Sequence, residues 1–296
     1  MSTGIKGIRR ASAVTTALTA GALLTGGVTA TQAQAAPVPS VTAKGGFVMD
    51  DRTGRTLFSK TADTKRNTGS TTKIMTAKVV LSQRNLNLNS KVTIQKAYSD
   101  YIVSRTASSA RLIVGDKVTV RQLLYGLMLP SGCDAAYALA DKFGTGSTRA
   151  ARVKSFIGKM NSTARSLGMR NTKFDSFDGI GNGNNYSTPR DLTKLASNVM
   201  KNSTFRTIVK TKSTKQRVTT RNGGYRNMPW TNSNKLLGTY SGTIGIKTGS
   251  GPEAKYCLVF AATRNGKTVI GTVLTSTSDV NRLKDAKKLM DYGFRR

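Results

Sequence analysis

Past residue 40 the apolar positions first come in pairs of short runs. GGFVMD (45–50) and RTLFSK (55–60) are separated by DRTG, a turn sequence, and together predict an antiparallel hairpin. The spacing then lengthens. Ile74, Met75, Ala77, Val79 and Leu81 supply one face of a helix that begins near Ser70. VTVRQLLYGLML (118–129) reads as a second helix, stopped by Pro130 and Gly132, and AAYALADKF from Asp134 onward as a third. In STRAARVKSFIGKMNSTARSLGM (147–169), Val153, Phe156, Ile157, Met160, Ala164 and Leu167 recur at helical spacing. TPRDLTKLASNVM (188–200) is a further helix, with Thr188 placed to cap it and Pro189 in its first turn.

The final third changes period. GTIGIKTG (242–249), YCLVFAATR (256–264) and KTVIGTVLTS (267–276) are strand-like, the last two joined by the tight turn Asn265-Gly266. DVNRLKDAKKLMDYGF (279–294) closes the pattern as a helix. The expected fold is α/β plus all-α: an antiparallel sheet of about five strands, built from both chain ends and flanked by helices, with an inserted helical lobe. Residues of about 36–69 and 210–296 are assigned to the sheet lobe and about 70–209 to the mainly helical lobe, within one catalytic domain spanning 36–296. A cleft between the lobes is the natural site.

Composition adds a location. Lys6, Arg9 and Arg10 precede a small, apolar run from Ala11 to Ala30, and Ala33-Gln34-Ala35 fits the small-x-small rule for signal peptidase. Residues 1–35 therefore read as a signal peptide, which puts the mature chain outside the cell or on the outer side of its membrane. The 296 residues carry 47 Lys and Arg against 14 Asp and Glu, a net charge of +33. Such a charge attracts polyanions in general. With an export signal, anionic wall polymers or a membrane surface are the expected non-specific partners. Nucleic acid is not, since the aromatics do not interleave with the basic residues as a stacking platform requires. A monomer is the default expectation.

Two absences narrow the chemistry. The chain has no histidine, which excludes Ser-His-Asp and Cys-His catalysis and imidazole-ligated zinc. Glu253 is the sole glutamate. Any nucleophile must be activated by lysine, aspartate, tyrosine or a second hydroxyl. In GSTTK, Ser70 and Lys73 are three positions apart and share one helix face. An amine held there, partly desolvated and near other cations, can act as a base. By itself Ser-x-x-Lys is a weak signal, equally compatible with a capped surface helix. LPSGC places Ser131 in a break between helices, where a hydroxyl can relay a proton or merely cap a turn. GIKTGSG offers Lys247, Thr248 and Ser250 on a strand, with Gly249 and Gly251 keeping its edge open.

Taken in order, Ser70-Thr71-Thr72-Lys73, Ser131-Gly132-Cys133 and Lys247-Thr248-Gly249 resemble the three motifs of the serine penicillin-recognising enzymes. Within them the match is to the low-molecular-weight DD-peptidases, transpeptidases included, and GMRNTKFDSFDGIGNGNNYSTPRDL (168–192) resembles that family's linking segment. The resemblance implies a β-lactamase/transpeptidase-like fold and a substrate class, peptidoglycan stem peptides ending in D-alanyl-D-alanine. By it, Ser70 is the acyl-ester nucleophile, Lys73 the general base and Ser131 the proton relay. Cys133, Lys247, Thr248, Gly249 and Ser250 bind substrate, and the backbone N–H groups of Ser70 and Ser250 form the oxyanion hole. It implies no metal or cofactor, and β-lactams as covalent inhibitors.

The second motif departs from the family's usual Ser-x-Asn. Cys133 is only a weak donor and acceptor and does not reproduce an asparagine amide. A lowered thiol pKa beside Lys73 and Lys247 is expected for it. A Cys133–Cys257 disulfide is disfavoured, because Cys257 in YCLVFAA reads as buried core. A class A β-lactamase is disfavoured too, since Glu253 lies just past the third motif rather than in the helical lobe. The open alternatives are a D-alanyl-D-alanine carboxypeptidase and a cationic wall-binding protein.

Overall fold

The structure, a computed structural model, describes residues 37–296. The signal peptide expected over 1–35 lies outside the described residues. The chain first forms β1 (Gly45–Asp50), β2 (Thr56–Lys60) and the short β3 (Arg66–Asn67). A 3-10 turn (Gly69–Thr72) then leads into α1 (Lys73–Leu81). Next come β4 (Lys91–Thr93), α2 (Lys96–Ser104), β5 (Lys117–Thr119), α3 (Val120–Met128), α4 (Cys133–Phe143) and α5 (Arg149–Ser166). The short β6 (Tyr186–Ser187), α6 (Pro189–Met200) and α7 (Ser203–Lys210) precede the hairpin of β7 (Ser213–Thr219) and β8 (Tyr225–Thr231). β9 (Thr243–Gly251), β10 (Lys255–Arg264), β11 (Lys267–Ser276) and α8 (Asp279–Phe294) complete the fold.

The main sheet is antiparallel with strand order β2-β1-β11-β10-β9. Its first strand in sequence pairs with its last, Gly45 opposite Leu274 and Asp50 opposite Val269, so both chain ends build it. Side chains alternate across a strand, and here both faces are covered. Leu258, Phe260, Val269 and Val273 pack with Leu289 and Met290 of α8. Val259, Ala261, Ile270 and Leu274 pack instead with the core that includes Leu192, Leu195 and Val199 of α6. Double burial explains why β10 and β11 read as continuous apolar runs. Asn265 and Gly266 between them have φ of 48° and 73°, as a tight primed turn requires.

Two local readings shift. VTV does not start a helix: β5 ends at Thr119, and α3 begins at Val120 behind a capping box. Thr119 Oγ1 accepts from Gln122 N at 3.2 Å while Gln122 Oε1 accepts from Thr119 N at 2.9 Å. Strands β7 and β8, from the segment assigned to the sheet lobe, join β4 and β5 in a separate sheet of order β4-β5-β7-β8. Their polar, half-exposed pattern does not suit a sheet covered on both faces. Only Val218, Met228 and Trp230 of this hairpin enter the core shared with α3 and α4. Among the described residues, no helix is long and apolar enough to cross a membrane.

Candidate active site

The free edge of β9 faces the turn that carries Ser70, and two glycines permit the approach. Gly69 has a φ of +49°, and a Cβ there would lie 2.9 Å from the backbone N and O of Ser250. A Cβ on Gly249 would lie 2.6 Å from Thr68 O. Any larger residue would push strand and turn apart. Arg282 of α8 holds the same strand from behind, donating to Gly249 O at 3.0 Å and Cys257 O at 3.4 Å.

Ser70 sits in the 3-10 turn rather than on α1, which begins at Lys73. The Lys73 side chain is fully buried. Its Nζ lies 2.8 Å from Ser70 Oγ, 3.0 Å from Asp178 O and 3.2 Å from Cys133 Sγ. Three acceptors match the three N–H bonds of an ammonium. No carboxylate is among them.

Lys247 is also buried, and among the described residues its Nζ makes a single hydrogen bond, to Thr248 O at 3.1 Å. Burial pushes this amine well below the usual lysine range, and the charges of Lys73 and Arg282 push the same way. Thr248 Oγ1 pairs with Ser233 Oγ at 2.6 Å.

Ser131 has a left-handed φ of 67°, an uncommon conformation for a residue with a Cβ. Its carbonyl accepts from Ser108 Oγ at 2.6 Å, while its own Oγ is buried without a hydrogen-bond partner. The hydroxyl therefore bonds neither Ser70 nor Lys73. Cys133, at the start of α4, is the member of this motif that touches Lys73. The expected lowering of its thiol pKa is reversed. Burial pushes it up, outweighing the nearby Lys73 charge. Both cysteines are free and buried, Cys257 Sγ lying 3.3 Å from Ala254 O.

Several residues that complete the site carry no motif. Asp178 supplies the carbonyl that holds Lys73, and its carboxylate is fixed by Tyr101 Oη at 2.9 Å and Ile180 N at 2.9 Å. Asp134 ties the 108–112 loop to α4 by accepting from Ser109 Oγ at 2.7 Å and Ala110 N at 2.8 Å. The FDG at 177–179 was a usable signal for Asp178, lying inside the linking segment. Nothing comparable marks Ser108, Ser233 or Arg282.

Over residues 30–278 the chain matches the D-alanyl-D-alanine carboxypeptidase family, peptidase S11. The chain belongs to this family. It is a serine-type D-alanyl-D-alanine peptidase. It is 68% identical over 289 residues to the D-alanyl-D-alanine carboxypeptidase of Streptomyces sp. (strain K15), covering 97% of this chain and 99% of that one. The carboxypeptidase DacC of Escherichia coli (strain K12) is 33% identical over 268 residues, with 88% of this chain matching 64% of that one. Among solved structures, the crystal structure of the Streptomyces K15 DD-transpeptidase superposes with a TM-score of 0.86 at 72% identity, over 87% of this chain and 99% of that one. The D-alanyl-D-alanine carboxypeptidase of Mycobacterium tuberculosis H37Rv gives 0.77 at 30% identity, over 89% and 95%. The fold expected of this peptidase, a sheet fed by both chain ends and flanked by helices, is the fold it shares with these relatives.

Proposed function

We propose that the chain is a penicillin-sensitive serine DD-transpeptidase acting on peptidoglycan stem peptides that end in D-alanyl-D-alanine. The observation that carries this reading is the 2.8 Å contact between Lys73 Nζ and Ser70 Oγ, with the amine's other partners limited to a carbonyl and a thiol. In its neutral form the amine keeps two N–H bonds, for Asp178 O and Cys133 Sγ, and turns its lone pair to the Ser70 hydroxyl.

Ser70 Oγ attacks the carbonyl between the two D-alanines as Lys73 takes the hydroxyl proton. Negative charge develops on the carbonyl oxygen, and the backbone N–H groups of Ser70 and Ser250 are the donors for it. Collapse breaks the C–N bond, and the leaving amine takes a proton from Lys73, with the Ser131 hydroxyl as relay. The unpartnered Ser131 Oγ is consistent with a group that finds its hydrogen-bond partner in the substrate. An amine from a second stem then attacks the ester, giving a cross-link and free Ser70.

Lys247 and Thr248, with Cys133 and Gly249 beside them, bind the terminal carboxylate end. Burial has stripped Lys247 of water and left it no carboxylate of its own. The free edge of β9 suits an extended peptide laid alongside it. A β-lactam presents the same carboxylate and carbonyl and acylates Ser70. Glu253 stands beyond the strand's end rather than beside the ester, so the adduct is long-lived. The export signal and the net charge of +33 support work on the outer face of the envelope, with diffuse attraction to anionic wall polymers or membrane.

Labelled penicillin tests the core of the proposal. A covalent adduct is expected in the parent and in Cys133→Ala and absent in Ser70→Ala; no adduct in the parent refutes the reading. A diacyl-D-alanyl-D-alanine donor with a glycine-like acceptor tests the outcome. Mostly hydrolysed product at high acceptor concentration would assign a carboxypeptidase instead.

A further inference from the structure

Beside the Ser70 turn lies a cavity of about 260 Å³, lined among others by Gly69, Gly179, Gly181, Asn185, Ser250 and Glu253. No lysine or arginine lines it, although the chain carries 47 of them. The polar atoms without partners around it are acceptors. Asn185 is 5% exposed; its Nδ2 donates to Thr68 Oγ1 at 2.9 Å and Thr72 Oγ1 at 3.0 Å, while its Oδ1 is buried and unpartnered. Asp175 holds the same loop by accepting from Asn182 N and Asn184 N, each at 2.9 Å, and its other oxygen is likewise buried and unpartnered. Glu253 Oε2 accepts from Asn67 Nδ2 at 2.6 Å, and no described residue bonds its second oxygen. Of these, Asn185 Oδ1 is a buried acceptor at the cavity wall, costly to leave without a donor, and the exposed Glu253 carboxylate also lines the cavity, so the lining suits a ligand that brings N–H groups.

The position says which part of a ligand that is. This step rests on the peptidase reading proposed above. With the terminal carboxylate at Lys247 and Thr248 and the reacting carbonyl at Ser250, a peptide along β9 runs on past Gly251 toward Glu253. The residue preceding the D-alanyl pair therefore falls at the cavity. We propose that this cavity is the subsite for a protonated amine on that residue's side chain, with Glu253 as the residue that selects it. The carboxylate supplies the countercharge, and Asn185 Oδ1 accepts an N–H. A neutral, acylated side chain loses the ionic contact, and an anionic one meets repulsion from Glu253.

The test compares two donor peptides of the form Nα-acetyl-X-D-alanyl-D-alanine. In one, X is Nε,Nε-dimethyl-lysine, a cation that keeps one N–H and cannot itself form an amide. In the other, X is Nε-acetyl-lysine. D-alanine release at a fixed glycine-type acceptor concentration gives a kcat/KM for each. The parent is expected to favour the cationic peptide about three- to fivefold, the range for a partly exposed ion pair, with the ratio shrinking in high salt. In Glu253→Gln the ratio falls to about one, and in Glu253→Lys it drops below one. Penicillin labelling of each variant reports that it is folded. A parent ratio of one or less, or a ratio kept in Glu253→Gln, overturns the inference while leaving the peptidase intact. A parent that forms no penicillin adduct and releases no D-alanine from either peptide overturns both.

Discussion

Lys73 Nζ lies 3.2 Å from Cys133 Sγ, so a buried thiol packs against the amine that contacts Ser70. Cys133 is fully enclosed and its thiol is pushed up, so its thiolate is scarce. Thiol reagents are expected to modify it slowly. Once made, the adduct displaces Lys73, and penicillin acylation should fall in proportion to the fraction modified. Mass spectrometry paired with labelled penicillin checks the proportionality, and full acylation after confirmed modification would contradict it. Cys133→Ala leaves Lys73 its Ser70 and Asp178 contacts and is expected to acylate within about tenfold of the parent, the effect of one weak hydrogen bond.

Lys247 sets a pH dependence of stability. Its folded pKa lies well below its ordinary value of 10.5, so across the interval between them the unfolded chain holds a proton that the native chain lacks. Stability therefore rises with pH through that interval. Lys247→Met is expected to flatten the rise, read from urea midpoints at a series of alkaline pH values. An unchanged slope would place the amine outside the buried setting described. A carboxylate ligand stabilises the charged form, so penicillin binding in that interval should take up protons, measurable calorimetrically in buffers of different ionisation enthalpy.

Gly69 tests the approach of strand and turn. Gly69→Ala places a methyl 2.9 Å from the Ser250 backbone at a φ of +49°. The expected cost is about 1–3 kcal/mol of stability, with penicillin acylation reduced at least about a hundredfold as the backbone N–H groups of Ser70 and Ser250, the proposed oxyanion donors, separate. Parent-like acylation in the variant would show that the turn and strand can part without consequence.

The join between the chain ends is a stability point remote from the chemistry. Asp285 on α8 is 1% exposed and accepts from Thr42 N and Ala43 N, each at 2.9 Å, from Thr42 Oγ1 at 2.8 Å, and from Ser276 Oγ. Asp285→Ala leaves those donors without their acceptor, and a loss of about 3 kcal/mol is expected in denaturant unfolding. A loss below about 1 kcal/mol would mean that water replaces the carboxylate.

Periodicity carried most of the fold. α8 and β11 match the predicted 279–294 and 267–276, because amphipathic and doubly buried patterns are local and long. Assigning residues of about 210–296 together to the sheet lobe does not single out the β7–β8 hairpin, because its polar, half-exposed strands carry no signal of which sheet they join. Its partner, β5, was hidden inside a run that looked helical until the Thr119 capping box divided it. The three motifs named the chemistry, but not which member of Ser131-Gly132-Cys133 meets Lys73.

The residues alone excluded histidine-dependent catalysis and left lysine, aspartate, tyrosine or a second hydroxyl to activate a nucleophile. The order of the three motifs, through the family they resemble, pointed to Ser70 with the Lys73 amine as its base. Only the tertiary structure decided how that amine is held. The Asp178 carbonyl reaches Lys73 across 105 positions of sequence and Cys133 across 60, while Gly69 and Gly249 let β9 close against the turn. Such contacts depend on where packed elements bring distant backbone, and no local pattern of side chains encodes that.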